Sequence, residues 1–163
     1  MPSLIALALS VFAFQGLLML VDESVFHLRR RHEMPRWERL GHPLDTLTVL
    51  TPILLARFLP ASEPWTIVFL ALAVFSCVFV TKDEPVHAVH CTPGEHWLHA
   101  LLFMVHPLLF AALWILWKQG QVGWISLQVA VTFGFLCWQT VYWNGPWAPQ
   151  RKMFPLHQKG APR

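Results

Sequence analysis

The stretch SLIALALSVFAFQGLLMLV at residues 3–21, followed directly by DESVFH at residues 22–27, decides how this chain is to be read. The first part carries no charge, and ~20 apolar residues make a helix long enough to cross the ~30 Å hydrocarbon core of a bilayer. It lacks a basic leader and a small-residue cleavage site, so it reads as a retained first span rather than a signal peptide. The second part places Asp22, Glu23 and His27 at the end of that apolar rod. Ionisable side chains at such a position are costly unless they pair, face a protein interior or bind something.

Composition extends the reading to the whole chain. Of 163 residues, 55% are hydrophobic, 13% are Asp, Glu, Lys or Arg, and the mean hydropathy is +0.47. A soluble domain carries about 25% charged residues, so this chain has too few to cover a water-facing surface. The expectation is an all-α, polytopic membrane bundle. One domain covers residues 1–143 and a polar, Pro-rich tail covers 144–163. The net charge of +3 comes from basic residues in loops and tail, without the basic stripe that nucleic acid requires. Cys77, Cys91 and Cys137 are far apart with no CxxC spacing, which argues against a disulfide framework.

Five segments have the length of a span, at about 3–27, 38–58, 64–87, 95–117 and 123–143. Lys and Arg cluster in the first connection (Arg29, Arg30, Arg31, Arg36, Arg39), the third (Lys82) and the tail (Arg151, Lys152, Lys159, Arg163). The positive-inside rule then puts these parts in the cytoplasm and the N-terminus outside. A bacterial inner membrane is the expected location.

The polar residues gather at the cytoplasmic ends of these spans. The first span ends in Asp22, Glu23 and His27, and the second opens with Glu38, His42 and Asp45. The third ends in Asp83, Glu84 and His87, and the fourth opens with Glu95, His96 and His99. DESVFH followed by ERLGHPLD thus echoes DEPVH followed by EHWLHA. Two parallel helical-hairpin repeats, at about 3–60 and 64–117, plus a fifth helix are expected.

Helical spacing gives each span a carboxylate and an imidazole on one face. Glu23 and His27, Glu38 and His42, and Glu95 and His99 are i,i+4, and Glu84 and His87 are i,i+3. Taken singly, each acid has a plainer account. Glu38 and Glu95 sit at helix N-termini, where the dipole favours them, and Asp22 and Asp83 can reach headgroup water. The repeated set points instead to metal. Carboxylate and imidazole suit Fe, Mn and Zn, and two divalent ions would use most of the ligands. The candidate ligands are Glu23, His27, Glu38, His42, Glu84, His87, Glu95 and His99.

Glu84-Pro85-Val86-His87 resembles the E-x-x-H motif of ferritin-like di-iron carboxylate proteins, which hold two metals inside a four-helix bundle. His87-x-x-His90 and His96-x-x-His99 look like fragments of the histidine boxes of membrane desaturases and hydroxylases. These resemblances imply a di-metal oxidoreductase, with iron as the expected metal and Mn or Zn as alternatives. The substrate would be a lipid, quinol or other apolar molecule entering laterally, and an electron donor would be a partner. Asp45 is expected to orient a ligand and Tyr142 to transfer a proton or an electron. Cys91, His90 and His96 read as ligands, as partners of the ligands or as loop residues. His106 lies ~10 Å beyond His99 at 1.5 Å per residue. It is left as a hydrogen-bonded core histidine, a substrate contact or a haem ligand. A zinc hydrolase, a metal-handling protein and a haem electron carrier are the competing functions.

Overall fold

The computed structural model describes residues 2–28 and 36–146, with the side chains of Val86, Val89 and His90 excepted. The basic loop at 29–35 and the tail beyond 146, with His32 and His157, lie outside the described residues, as does the side chain of His90. The described residues are helical apart from short turns, with no strand among them. The helices are α1 (Pro2–Val21), α2 (Arg36–Phe58), α3 (Glu63–Phe79), α4 (Glu84–His90), α5 (Pro93–Lys118) and α6 (Val122–Asn144).

Four helical stretches are long and apolar enough to cross a membrane: Pro2–His27, Glu63–Asp83, Pro93–Lys118 and Val122–Asn144. Three of them bury little of their surface, whereas the α5 stretch is 44% buried and forms the centre of the bundle. Leu7, Leu17, Ile67, Val74, Val78, Val131 and Phe133 all face outward. So apolar a skin is consistent with an integral membrane protein, in which lipid covers what water could not. The expected second span, α2, is not among the four. Arg36, Glu38, Arg39, His42 and Asp45 lower its hydropathy, and it packs on α6, α3 and α5.

The two ends of the bundle differ in chemistry. At one end Ile53, Phe69, Phe110, Leu113, Leu116 and Ile125 interlock in a dry core. Trp117 donates its indole N–H to the Leu59 carbonyl (2.8 Å), and Arg57 donates to Ser126 (2.6 Å). The turn there closes α5 through two hydrogen bonds, Gln121 N–H to Leu116 C=O and Gly120 N–H to Trp117 C=O. Gly120 at φ +62° takes the left-handed position that this helix ending requires.

Three local devices shape the other, polar end. After Val21 the first helix widens into a π-helical turn over Asp22–His27. Its i→i+5 bonding brings residues five apart together, and such turns recur at functional sites. After Phe79 the third helix tightens into a 3₁₀ turn over Val80–Asp83, and α4 restarts with Pro85 in its first turn, where no N–H is needed. The two Asp-Glu segments therefore reach the same end by opposite distortions of the helix. In α2, Pro43 has no N–H to give the Arg39 carbonyl. Asn144 at the end of α6 donates to that carbonyl instead (3.0 Å), tying α6 to α2.

Candidate metal centre

His27 is the hub of the polar end. Its side chain is fully buried, and four carboxylates surround it. Nδ1 lies 3.6 Å from Asp22 and 3.8 Å from Glu23, and Nε2 lies 3.9 Å from Glu38 and 3.8 Å from Glu95. These acids come from the π turn, the start of α2 and the start of α5. All four are buried, with Glu38 1% and Glu95 0% exposed.

The remaining imidazoles complete the ring of donors. His42 packs against His27 with centroids 4.4 Å apart, and His87 against His99 at 4.2 Å. His87 Nε2 is 3.6 Å from Glu38, and His99 Nε2 is 3.2 Å from Asp22. Single donor atoms of Asp22, His27, Glu95 and His99 all fall within 4.8 Å of one another, as do those of Glu23, His27 and His42, and of His87, Cys91 and His99. Seven of the eight candidate ligands are thus brought together. The eighth, Glu84, sits at the rim with a 42% exposed side chain, 3.6 Å from His87 Nδ1.

The spacing suits a shared cation better than a shared proton. An N···O separation of 3.6–3.9 Å is too long for a hydrogen bond. Two ligands each ~2.1 Å from one ion stand ~3–4 Å apart. Both nitrogens of His27, both nitrogens of His87, both oxygens of Glu38, His42 Nε2 and His99 Nδ1 are buried with no hydrogen-bond partner among the described residues. Buried polar atoms are nearly always satisfied, so a concentration of unsatisfied lone pairs at one point fits a bound ion. The ion pairs of Asp22, Glu23 and Glu38 among the described residues run to histidine.

Neighbouring groups hold the donors in place. Glu23 accepts from Gln139 Nε2 (2.6 Å) and from the Trp143 indole (3.0 Å), and Gln139 in turn accepts from Thr46 (2.6 Å). Partners of this kind fix the orientation of metal-binding carboxylates. Glu95 uses one oxygen to complete a capping box with Thr92 and turns the other toward His27. The helix-end account of Glu95 and the ligand account are therefore compatible, one oxygen each.

The other expected residues fall around this centre. Asp45 is bound at both oxygens by Lys82 Nζ (2.7 Å each), which also reaches Asp83 (2.7 Å); its hydrogen bonds go to that lysine rather than to a histidine. Gly41 makes the arrangement fit, since a Cβ there would lie 2.9 Å from an Asp83 oxygen. Tyr142 lies one ring away from the cluster, stacked on Trp138 and edge-on to Trp143 at 4.8 Å. His106 is a core histidine, bonded to Gln15 (3.4 Å) and Ser76 (3.0 Å).

Asp22, Gln139 and Trp143 were not expected as parts of the centre. Asp22 is hidden by α-helical spacing, because five residues at ~100° each put it ~140° away from His27; the π turn removes that offset. Trp143 is fully buried against Glu23, whereas Trp37 (51% exposed) and Trp97 (74%) face outward. No protein-family model, curated protein or solved structure matches the chain.

Proposed function

We propose that this protein is a membrane-embedded di-metal oxidoreductase, with iron as the expected metal, acting on a lipid, quinol or other apolar substrate. The observation that carries the reading is His27, a wholly buried imidazole among four buried carboxylates with neither ring nitrogen hydrogen-bonded. Four carboxylates in a low-dielectric interior need compensating positive charge, and two divalent ions would balance them. Such a pair, held by these carboxylates and imidazoles, would supply activation of dioxygen or peroxide. The protein's own part is to hold Glu23 through Gln139 and Trp143 and to keep the centre dry. The tilted imidazole pairs, 4.4 and 4.2 Å between centroids, leave no gap for a porphyrin, which disfavours the haem reading.

In this reading α2 is a fifth span. Its 23 residues extend ~34 Å at 1.5 Å each, enough for the hydrocarbon core, with its polar groups turned inward. The paired carboxylate-imidazole hairpins form the two repeats, and the centre faces the cytoplasm of a bacterial cell. Trp138, Tyr142 and Trp143 form an aromatic path from the lipid-facing surface to Glu23 along which an electron donor could act.

A second reading rests on Cys91. Its sulfur joins His87 and His99 in a Cys-His-His set, which suits zinc, and zinc-activated water would make the protein a hydrolase.

Metal analysis by mass spectrometry on detergent-purified protein tests both. About two iron or manganese ions per chain, as in bundle di-metal centres, are expected, with loss in His27→Ala and Glu38→Gln. Zinc that disappears in Cys91→Ser would favour the hydrolase. A metal-free protein after anaerobic reconstitution would sink both readings and leave the cluster as a charge network.

A further inference from the structure

A second cavity, of about 500 Å³, opens beside the metal centre. That is a normal size for a small-molecule site, ~300–1,000 Å³. It exists because α1 packs on α5 while α6 packs on α2, leaving a gap between α1 and α6. Phe12, Leu109, Val131, Phe135 and Trp138 make its walls apolar. Gly16 on α1 and Gly134 on α6 widen it, since a Cβ at either would meet nothing within 4 Å. Gln15, Met19, Thr46 and Val49 line both this cavity and the smaller one that holds Asp22, Glu23, His42 and His99. The apolar gap therefore leads to the candidate ligands.

Gln15 gives the junction its chemistry. It is 5% exposed, and its Oε1 has no hydrogen-bond partner among the described residues. The direction of the hydrogen bonds behind it can be worked out. Thr48 gives its single hydroxyl proton to the Asp45 carbonyl (2.8 Å), so the Ser76 hydroxyl must donate to Thr48 (2.8 Å). Ser76 then accepts from His106 Nε2 (3.0 Å), and His106 Nδ1 is left as an acceptor. It takes its bond from the Gln15 amide N–H (3.4 Å). The chain thus fixes the Gln15 amide with its nitrogen toward His106 and its oxygen free. A buried acceptor with no partner, on a side chain that lines an apolar pocket, favours a ligand that donates, because leaving the bond unmade is the costly alternative.

We infer that this cavity binds a lipophilic molecule with a hydroxyl head, a quinol or a long-chain alcohol, its apolar body between α1 and α6 and its O–H donated to Gln15 Oε1. This deepens the apolar-substrate reading above, on which it rests. A quinone or an alkane, which has no proton to donate, lacks that bond.

The test is binding to full-length protein in nanodiscs after chelator treatment, read by quenching of tryptophan fluorescence, Trp138 being in the wall. The probes are a decyl-benzoquinol, the matching quinone, dodecanol and dodecane. One hydrogen bond to a buried acceptor should favour the quinol over the quinone by ~10-fold. Gln15→Leu should abolish the preference while its metal content stays at the wild-type level. Gly16→Leu should weaken every probe by filling the gap, with Gln15 untouched. Dodecanol binding in a Gln15-dependent way would make the source a fatty alcohol; quinol binding alone would make it a quinol. Equal affinity for quinol and quinone, a preference that survives Gln15→Leu, or no binding of either hydroxyl compound would overturn the inference. Because binding is read without metal and metal content is read without ligand, failure of one reading leaves the other standing.

Discussion

Glu23 is the candidate ligand whose surroundings are the most fully defined. Its two oxygens are engaged separately, one by Gln139 and one by the Trp143 indole. Replacing Trp143 with Phe keeps an aromatic ring against His27, His42 and Tyr142 but removes the donor. Loss of such a partner costs ~10–100-fold in metal affinity, so chelator competition should show Trp143→Phe weakened by that order and Trp97→Phe, at an exposed site, unchanged. The gathering of the candidate ligands at one end was legible in the sequence because i,i+3 and i,i+4 spacing is short-range information. Trp143 and Gln139 were not, since nothing in the local pattern near residue 140 refers to a carboxylate 116 or 120 positions earlier. Asp22 was visible as an acid at a span end, but its place beside His27 depends on a turn that α-helical periodicity does not encode.

The π turn at Asp22–His27 makes one stretch of helix present Asp22, Glu23 and His27 to the same interior. Ser24 lies within it and is exposed. Deleting Ser24 removes the extra residue that a π turn accommodates, and the chain there should revert to α-helix. The expected result is a protein of unchanged far-ultraviolet circular dichroism that no longer retains metal. Full metal content in the deletion would show that the widened turn is dispensable. The 3₁₀ turn at Val80–Asp83 contributes differently, by aiming Lys82 back at Asp45 beside Gly41. Sequence shows Asp-Glu at both places and gives the two segments the same look. The backbone that carries them is opposite in kind, one loosened and one tightened, because Pro85 at the second restarts the helix.

For the molecule as a whole, the segregation of a dry end from a polar end gives the bundle a direction. The apolar helices were readable from composition, since four of the stretches are long and apolar enough to cross a membrane. Segment 38–58 was also expected as a span, but the acids and arginines of α2 keep it out of the four most apolar stretches, and α6, α3 and α5 cover it. The proposed orientation can be checked with an impermeant maleimide on right-side-out vesicles, in a chain whose own cysteines are replaced by serine. Ser62→Cys, at the dry end, should label from outside, and Trp97→Cys, at the polar end, only after the vesicles are opened. Labelling of both from outside would discard the orientation.

The lock between Asn144 and the Arg39 carbonyl has a temporal meaning as well as a spatial one. Gln139, Trp143 and Asn144 all belong to α6, the last described helix to be synthesised. Until it joins the bundle, Glu23 lacks the donors of Gln139 and Trp143, and the Arg39 carbonyl lacks the Asn144 amide. The candidate site thus draws its supporting donors from a helix more than 110 positions away from Glu23, and it is complete only once α6 has packed on α2.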